Sequence, residues 1–296
     1  MTDGNNNAFL QVRDVYKQYG AKRILDNVDL AVDRSEFCTL VGPSGCGKST
    51  LLRLILGSEQ PTSGNIIIDG EENGPPDTGK GIVFQRYSLF PNRTVMDNIL
   101  LGTRLSANKA GWDAARAERE AREFLARMRL ADHGNKYPHE LSGGMQQRVA
   151  IAQSLILKPK ILLMDEPFGA LDPDTREEMQ LLLLELWEEY QMNVFFVTHD
   201  LDEAAYLGTR ILVLSQYYSD GRGNGPHVNR GAKIVADHQL KQIAKGVHIK
   251  RTAEFGTLLQ QIREEGFDPA LLQHVTQFNL RHPDSYQTLT KEELSN

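Results

Sequence analysis

The pattern of hydrophobic and polar residues along the chain predicts an alternation of strands and helices. Apolar and polar residues alternate in Phe9–Val15 and Val28–Val32, as they do in strands with one exposed face. Short apolar runs bounded by turn residues predict seven further strands: Phe37–Val41, Asn65–Asp69, Gly81–Gln85, Ile161–Met164, Asn193–Thr198, Ile211–Leu214 and Ala232–Val235. Helical spacing occurs in Lys48–Leu56, Thr94–Leu130, 142–157 and Thr175–Tyr190, and shorter helical pieces follow Leu240. We interpret Tyr16–Gly20 and Ser219–Gly231 as turn and loop, and the whole pattern as an α/β fold.

The stretch from Gly42 to Thr50 has the composition of a phosphate-binding loop. It fits the pattern G-x-x-x-x-G-K-[ST] with the residues Gly42, Pro43, Ser44, Gly45, Cys46, Gly47, Lys48, Ser49 and Thr50. Its glycines let backbone N–H groups approach an anion, and the following helix points its positive dipole end at the same place. Lys48 supplies a cation for the β- and γ-phosphates, and the Ser49 hydroxyl is a ligand for Mg²⁺. The alternative, a glycine-rich turn that binds nothing, explains the flanking strand and helix less well.

Two carboxylates, Asp165 and Glu166, end the apolar run Ile161–Met164. A buried parallel strand directs its carboxyl end toward the ligand crevice, so both side chains are expected beside the phosphate loop. There, Asp165 would hold Mg²⁺ and Glu166 would accept the proton of the attacking water. The alternative is that these carboxylates only cap the next helix.

Three other side chains are candidates for contacts with a nucleotide, each with a structural alternative. Tyr19 offers an aromatic face for the adenine base, or else covers an edge of the sheet. Gln85 ends a predicted strand and could reach the metal or a water with its amide oxygen, or else faces solvent. His199 follows a buried strand and is placed to sense the γ-phosphate, whereas a lone histidine is more often a core residue.

A second glycine-rich element opens the helix that starts near Ser142. Ser142 is a suitable N-cap, and Gly143 and Gly144 leave the first turn of the helix bare, with Met145 next. This arrangement predicts a second anion site that has no lysine. One chain would hardly need two phosphate sites unless the second served a nucleotide held by another copy.

Composition narrows the class of protein. The 296 residues are 40% hydrophobic and 24% charged, as in a globular protein, and the net charge of −6 argues against broad nucleic-acid binding. Cys38 and Cys46 are too few for a disulfide framework, and we expect both to be reduced. The polar start and the absence of a run of about 18 apolar residues lead us to expect a cytoplasmic chain.

Together these motifs resemble those of the ATP-binding subunit of ABC transporters, over roughly Phe9 to Leu240. In family terms Tyr19 is similar to the adenine-stacking aromatic, Gln85 to the Q-loop and His199 to the switch histidine. The stretch Gly42–Ser49 is similar to the Walker A motif, and Leu141–Met145 is similar to the signature motif. Likewise, Ile161–Glu166 is similar to the Walker B motif and Ala170–Asp172 to the D-loop. Met145 stands where most relatives carry Gln.

The resemblance implies a P-loop NTPase fold, with a RecA-like α/β core, an antiparallel β arm and a helical subdomain near 87–158. Residues 1–240 would form the cassette, and 241–296 a small, mostly helical C-terminal extension of unknown role. That extension is either a regulatory sensor or a helical appendage for dimer packing.

The resemblance also implies an ATPase that uses ATP and Mg²⁺, with Glu166, His199 and Lys48 in catalysis and Ser49, Gln85 and Asp165 at the metal. Two copies would pair head to tail as a homodimer, so that each ATP lies between one phosphate loop and the partner's Ser142–Met145. Asp172 would lie in a loop at that dimer contact.

The expected role is import of a small polar solute, as in importers of the nitrate, sulfonate and taurine type. The expected partners are two separate membrane permease subunits, contacted by Tyr87–Asn92 at the cytoplasmic face of the inner membrane, with a solute-binding protein as a further candidate. The alternative is a cassette ATPase that acts on ribosomes or DNA without a membrane partner.

Overall fold

The computed structural model describes residues 8–85, 88–110, 113–222, 229–240 and 253–274. The chain divides into two compact units, the first made of Met1–Pro75 with Phe195–Asn296 and the second of Pro76–Val194. Within the described residues, no helix has both the length and the apolar character that crossing a lipid bilayer requires.

The described strands are β1 (Leu10–Tyr19), β2 (Lys22–Val32), β3 (Phe37–Val41), β4 (Ser63–Ile68), β5 (Glu71–Glu72), β6 (Lys80–Val83), β7 (Ile161–Asp165), β8 (Asn193–Val197), β9 (Arg210–Ser215), β10 (Tyr218–Ser219), β11 (Lys233–Gln239) and β12 (Gln273–His274). The described α-helices are α1 (Lys48–Leu56), α2 (Val95–Ala110), α3 (Ala114–Arg127), α4 (Gly143–Leu155), α5 (Pro173–Tyr190), α6 (Leu201–Leu207) and α7 (Ala253–Gly266). Short 3₁₀ turns occupy Ala131–His133 and Pro138–Glu140.

The first unit contains an antiparallel arm sheet with strand order β2-β1-β4-β5. The predicted turn over Tyr16–Gly20 is wrong, because β1 stays paired with β2 as far as Tyr19, opposite Lys22. The strand β2 correspondingly begins at Lys22 rather than at Val28. Pairing between strands overrides the local polar pattern, and irregularities in the β1–β2 register absorb the residues that break the alternation.

The first unit also holds β3 beside β9, in parallel, and β11 antiparallel to β9. All five residues of β3 are buried, as predicted for Phe37–Val41. The helix α1 has the predicted bounds and ends at Gly57, whose φ of 82° and N–H bonds to Arg53 and Leu54 close the last turn. Cys38 and Cys46 are both free and buried.

The helix α7, in the predicted C-terminal extension, belongs to the same hydrophobic core as β9 and β11. Phe255, Leu259 and Ile262 cluster with buried residues that include Val213. Gly266 is required where α7 ends, because a Cβ there would lie 2.2 Å from Cγ1 of Val213. Residues 241–252 and 275–296, for which further helical pieces are predicted, lie outside the described residues.

The second unit contains the strands β6 and β7, which pair in parallel, and the helices α2, α3 and α4 lie between them in sequence. The helical stretch predicted over Thr94–Leu130 contains two helices: α2 ends at Ala110, and α3 spans Ala114–Arg127. Asp113 starts α3 as its N-cap, accepting a hydrogen bond of 2.7 Å from the Arg116 N–H. The strand β6 ends at Val83, so Gln85 lies beyond it rather than within the predicted Gly81–Gln85 strand.

Asp29 is a buried carboxylate in the arm sheet. It is 2% exposed, and its Oδ1 accepts a hydrogen bond of 2.8 Å from the backbone N–H of Asp14. Its Oδ2 is buried and has no hydrogen-bond partner within the described part of the chain. Burial raises the pKa of Asp29 from 3.8 to about 7, so near neutral pH the native state holds a proton that the unfolded chain releases.

We expect Asp29→Asn to remove a pH dependence of stability. Because the native pKa is the higher one, the contribution of this carboxyl is fully present below the unfolded value of 3.8 and is lost as pH rises through about 7. Between about pH 5 and pH 8, wild type should lose on the order of 2–3 kcal/mol relative to Asp29→Asn. Urea unfolding of both chains at the two pH values measures this, and a constant difference would contradict the raised pKa.

Candidate functional site

The predicted phosphate-binding loop lies in the first unit, between β3 and α1. Gly42, Gly45 and Gly47 have φ angles of 152°, 76° and 111°, which residues with a side chain rarely adopt. A Cβ on Gly42 would lie 1.9 Å from the carbonyl oxygen of Leu214, and one on Gly47 would lie 2.8 Å from Cγ2 of Ile24. Both conformation and space therefore require glycine at Gly42 and Gly47.

The amino end of α1 is suited to an anion. Gly47 begins the helix without a side-chain cap, and the first turn contains no acidic residue. The Nζ atom of Lys48 donates to the carbonyl oxygens of Gly42 and Pro43, at 2.8 and 3.0 Å, so the cation is held within the loop. The backbone N–H groups of a helix start, a helix dipole and a cation thus meet in one loop, which is the arrangement that binds phosphates.

Tyr19 is connected to this loop through two charged side chains. Its ring is 44% exposed, and its hydroxyl donates to the Glu59 carboxylate and accepts from Arg53 Nη2. Arg53 also donates to Thr50 Oγ1 at 3.1 Å. Although burial alone raises it, hydrogen bonds from Tyr19, Lys17 and Arg53 lower the pKa of Glu59 to about 2. The aromatic ring is therefore held at a defined place relative to α1.

His199 follows β8 and is exposed. The backbone N–H of Thr198 donates to the carbonyl of Leu40, near the end of β3, at 3.3 Å. The ends of β3 and β8 therefore meet. His199 therefore follows the end of β8 close to the place where the phosphate loop follows the end of β3.

The helix α6, which follows His199, was not predicted from the sequence pattern. Asp200 is its N-cap, because Oδ1 accepts from the N–H groups of Asp202 and Glu203 at 2.9 and 3.1 Å. The Glu203 carboxylate in turn accepts from Thr198 Oγ1 at 2.6 Å. The signal that was available is an Asp followed three residues later by a Glu, a pattern common at helix starts.

In the second unit, Asp165 is the last residue of β7 and Glu166 follows it. Asp165 is half-buried, after four buried residues. Glu166 has a φ of 47°, a strained conformation for a glutamate and one that is concentrated at functional sites. Gln85 Nε2 donates to Glu166 Oε2 at 3.3 Å, which brings together two candidate residues that are far apart in sequence.

Asp172, and not Asp165 or Glu166, caps the helix after β7. Its Oδ1 accepts a hydrogen bond of 3.0 Å from the Thr175 N–H at the start of α5. Hydrogen bonding to the Thr175 backbone lowers the pKa of Asp172. A capping role, the alternative considered for the two strand-end carboxylates, therefore falls to Asp172.

The second glycine-rich element starts α4, as predicted. Ser142 is the N-cap, and its Oγ accepts from the Met145 N–H at 3.4 Å. Ser142 and Gly143 are exposed, and the first turn of α4 carries no acidic residue. A Cβ on Gly144 would lie 2.9 Å from Cγ2 of Thr175. This helix start is thus uncovered and free of negative side chains.

Comparison with known proteins identifies the family. The family model described as ABC transporter matches residues 25–169. A spermidine/putrescine import ATP-binding protein of Nitrosospira multiformis is 44% identical over 232 residues, covering 77% of this chain and 61% of its own length. An aliphatic sulfonates import ATP-binding protein of Bacillus anthracis is 43% identical over 200 residues, covering 68% of this chain and 77% of its own.

The chain belongs to the ABC transporter family of ATP-binding cassettes. A solved dimeric cassette, MJ0796 in a post-hydrolysis state bound to ADP and Pi, covers 79% of this chain and 100% of its own, with 32% identity and a TM-score of 0.67. The expected P-loop NTPase cassette fold is thereby confirmed. The chain spans about three fifths of the spermidine/putrescine relative it matches.

Proposed function

We propose that this ABC cassette hydrolyses ATP to drive the import of a small polar solute through separate membrane permease subunits. The observation that carries the proposal is the loop Gly42–Ser49, with its required glycines, its uncapped helix and the enclosed Lys48 ammonium. Import is supported by the spermidine/putrescine and aliphatic sulfonates relatives, which are import ATP-binding proteins.

Hydrolysis needs a base beside the attacking water, and Glu166 is the proposed base. Gln85 donates a hydrogen bond to its carboxylate, and a carboxylate is a group that can accept the proton of the attacking water. Lys48 would neutralise charge that develops on the γ-phosphate, and His199 would contact the same phosphate. Tyr19 would stack on the adenine.

Magnesium fits the donors that these residues provide. Within the described residues, no three His, Cys, Asp or Glu side chains gather as a protein-only metal site. Mg²⁺ instead prefers one or two protein oxygens together with phosphate oxygens and water. The Ser49 hydroxyl, the Asp165 carboxylate and the Gln85 amide oxygen would hold it. When bound, the ion would offset negative charge on the β- and γ-phosphates.

Two copies of the chain would complete each hydrolytic centre. The exposed start of α4 at Ser142–Met145 offers N–H groups to an anion, as α1 does, but it has no lysine in its first turn. We assign it to the ATP of a partner copy, with Asp172 at the same contact. The dimeric state of the solved cassette supports a homodimer.

The permease partner would dock on the stretch after Gln85. Phe90 is 45% exposed, and the fully buried Asn98 fixes its loop by accepting from the Phe90 N–H at 2.7 Å and donating to carbonyls of Phe90, Arg93 and Thr94. An apolar ring held outward by a rigid loop suits an apolar partner. Tyr87, where the predicted contact begins, lies outside the described residues.

We expect Phe90→Glu to weaken the permease complex at least about tenfold, because a carboxylate would be buried against an apolar helix. ATP turnover of the isolated chain should not change. Co-purification with the permease and solute uptake in membrane vesicles measure the effect. Leu181→Glu, at an equally exposed leucine on α5, is the matched control. An intact complex with normal uptake would refute this docking surface.

Cell fractionation separates the proposal from an ATPase that acts on ribosomes or DNA. An importer subunit should sediment with membranes at the cytoplasmic face and be released when its permease genes are deleted. A solute-binding protein is a further candidate partner. Sedimentation with ribosomes, independent of any permease, would overturn the importer assignment.

A further inference from the structure

A cluster of polar and charged side chains in the first unit, with buried carboxylates and an exposed arginine, joins β2 to the segment around β10. We name it the charge clamp, and its members are Asp26, Tyr218, Asp220, Arg222 and Arg230. Asp26 and Tyr218 are 2% and 0% exposed, and Asp220 is 6% exposed. Buried ionic groups of this kind hold a defined geometry only when each charge is paired.

The carboxylate of Asp26 is the centre of the charge clamp. Its Oδ2 accepts from the Tyr218 hydroxyl at 3.1 Å and from Arg222 Nη1 at 2.7 Å. Arg222 Nε and Arg230 Nη2 each donate to Asp220 at 2.8 Å. Although burial alone raises it, these arginine bonds lower the pKa of Asp220 to about 2, so this carboxylate stays charged.

The backbone after the charge clamp is bonded directly to β2. The Ala232 N–H donates to the Ile24 carbonyl at 2.8 Å, and the Asp26 N–H donates to the Ala232 carbonyl at 3.0 Å. The Gly231 N–H reaches Asp26 Oδ2 at 3.4 Å. Side chains and backbone therefore fix the same three residues of β2, 24–26.

Ile24 and Leu25 lie between the segment at Gly231 and the phosphate loop. A Cβ on Gly231 would lie 2.9 Å from backbone atoms of both Ile24 and Leu25. On the other side, a Cβ on Gly47 would lie 2.8 Å from Ile24 Cγ2 and 3.0 Å from Leu25 Cδ2. Close packing on both sides means that a shift of Ile24 and Leu25 reaches Gly47, where α1 begins.

We propose that the charge clamp is a positioning device for the phosphate loop. By fixing residues 24–26 against Gly47, it holds the start of α1 in the conformation that binds phosphate, although none of its members belongs to the loop. Arg222 is thus a positioning residue for ATP binding. This inference rests on the proposed role of the Gly42–Ser49 loop.

The test compares ATP affinity with the mobility of the loop. Arg222→Ala should raise the Kd for ATP about fivefold to tenfold and speed amide hydrogen exchange in Gly45–Leu51 without nucleotide, while turnover at saturating ATP stays near wild type. Arg222→Lys should restore part of the affinity. Gly231→Ala, which keeps every charge but crowds Ile24, should change the Kd and the exchange in the same direction.

The variant His238→Gln distinguishes a specific effect on the phosphate loop from a general loss of stability. This variant breaks a 2.7 Å pair between His238 on β11 and Glu265 on α7, in the same unit. Even where its melting temperature falls as far as that of Arg222→Ala, its ATP affinity and its loop exchange should stay those of wild type. Unchanged affinity and exchange in both Arg222→Ala and Gly231→Ala, or equal changes in His238→Gln, would overturn the inference. Faster exchange in a protein whose wild type binds no ATP would refute the proposed function instead.

Discussion

Replacing Glu166 by Gln should lower ATP turnover at least about 100-fold, while the affinity for ATP stays near that of wild type. The amide cannot take a proton from water, and general-base catalysis contributes about 10²–10⁴ in rate. Gln at this position keeps a polar group beside Gln85, which now bonds the carboxylate at 3.3 Å. Bound ATP should therefore persist and hold the dimer closed.

Steady-state phosphate release and equilibrium binding of ATP separate these two effects. Glu189→Gln is the matched control, since Glu189 is an exposed α5 carboxylate paired with Arg127 and should turn over ATP as wild type does. Wild-type turnover in Glu166→Gln would remove Glu166 from the role of base. A parallel loss of ATP affinity would assign it to binding instead.

Replacing Ser142 by Asp should abolish ATP-driven dimerisation and reduce turnover on the order of 100-fold, without unfolding the chain. Asp caps helices as well as Ser does, so the bond to the Met145 N–H, now 3.4 Å from Ser142 Oγ, can persist. The added negative charge, however, would face the phosphates of the partner's ATP. Loss of one well-placed donor to such charge already costs about 10²–10³ in rate.

Ser142→Asn is the control for this second substitution, because it keeps the cap and the size but adds no charge. It should retain most of the dimerisation that Asp abolishes. ATP binding by single chains should be the same in both variants, as measured at concentrations too low for dimers. Normal turnover in Ser142→Asp would show that no phosphate approaches this helix start.

Local patterns were sufficient where sequence and tertiary context agree. The strand Phe37–Val41 and the helix Lys48–Leu56 were predicted with their observed bounds, since an apolar run, a glycine loop and a C-terminal Gly57 all indicate the same elements. Ser142 was predicted as an N-cap for the same reason. At these places the chemistry and the local structure depend on neighbours in sequence.

Long-range pairing was not predictable from local pattern. Tyr16–Tyr19 extends β1 because β2 supplies partners as far as Lys22. The contact of Gln85 with Glu166 depends on the parallel pairing of β6 and β7, which periodicity does not specify. The charge clamp joins Asp26 to residues near 220, and in sequence that region shows only polar and glycine-rich character. Its role becomes visible only through the packing of Ile24 against Gly47.

The most direct measurement of a hydrolytic centre shared between two chains is the amount of ATP retained by mixed dimers. One chain carries Ser142→Asp and Glu166→Gln, and the other carries Lys48→Ala and Glu166→Gln. Each alone should remain monomeric with ATP, whereas the mixture should form dimers that retain one ATP per two chains. Dimers of the Ser142→Asp chain alone that retain one ATP per chain would contradict a divided centre.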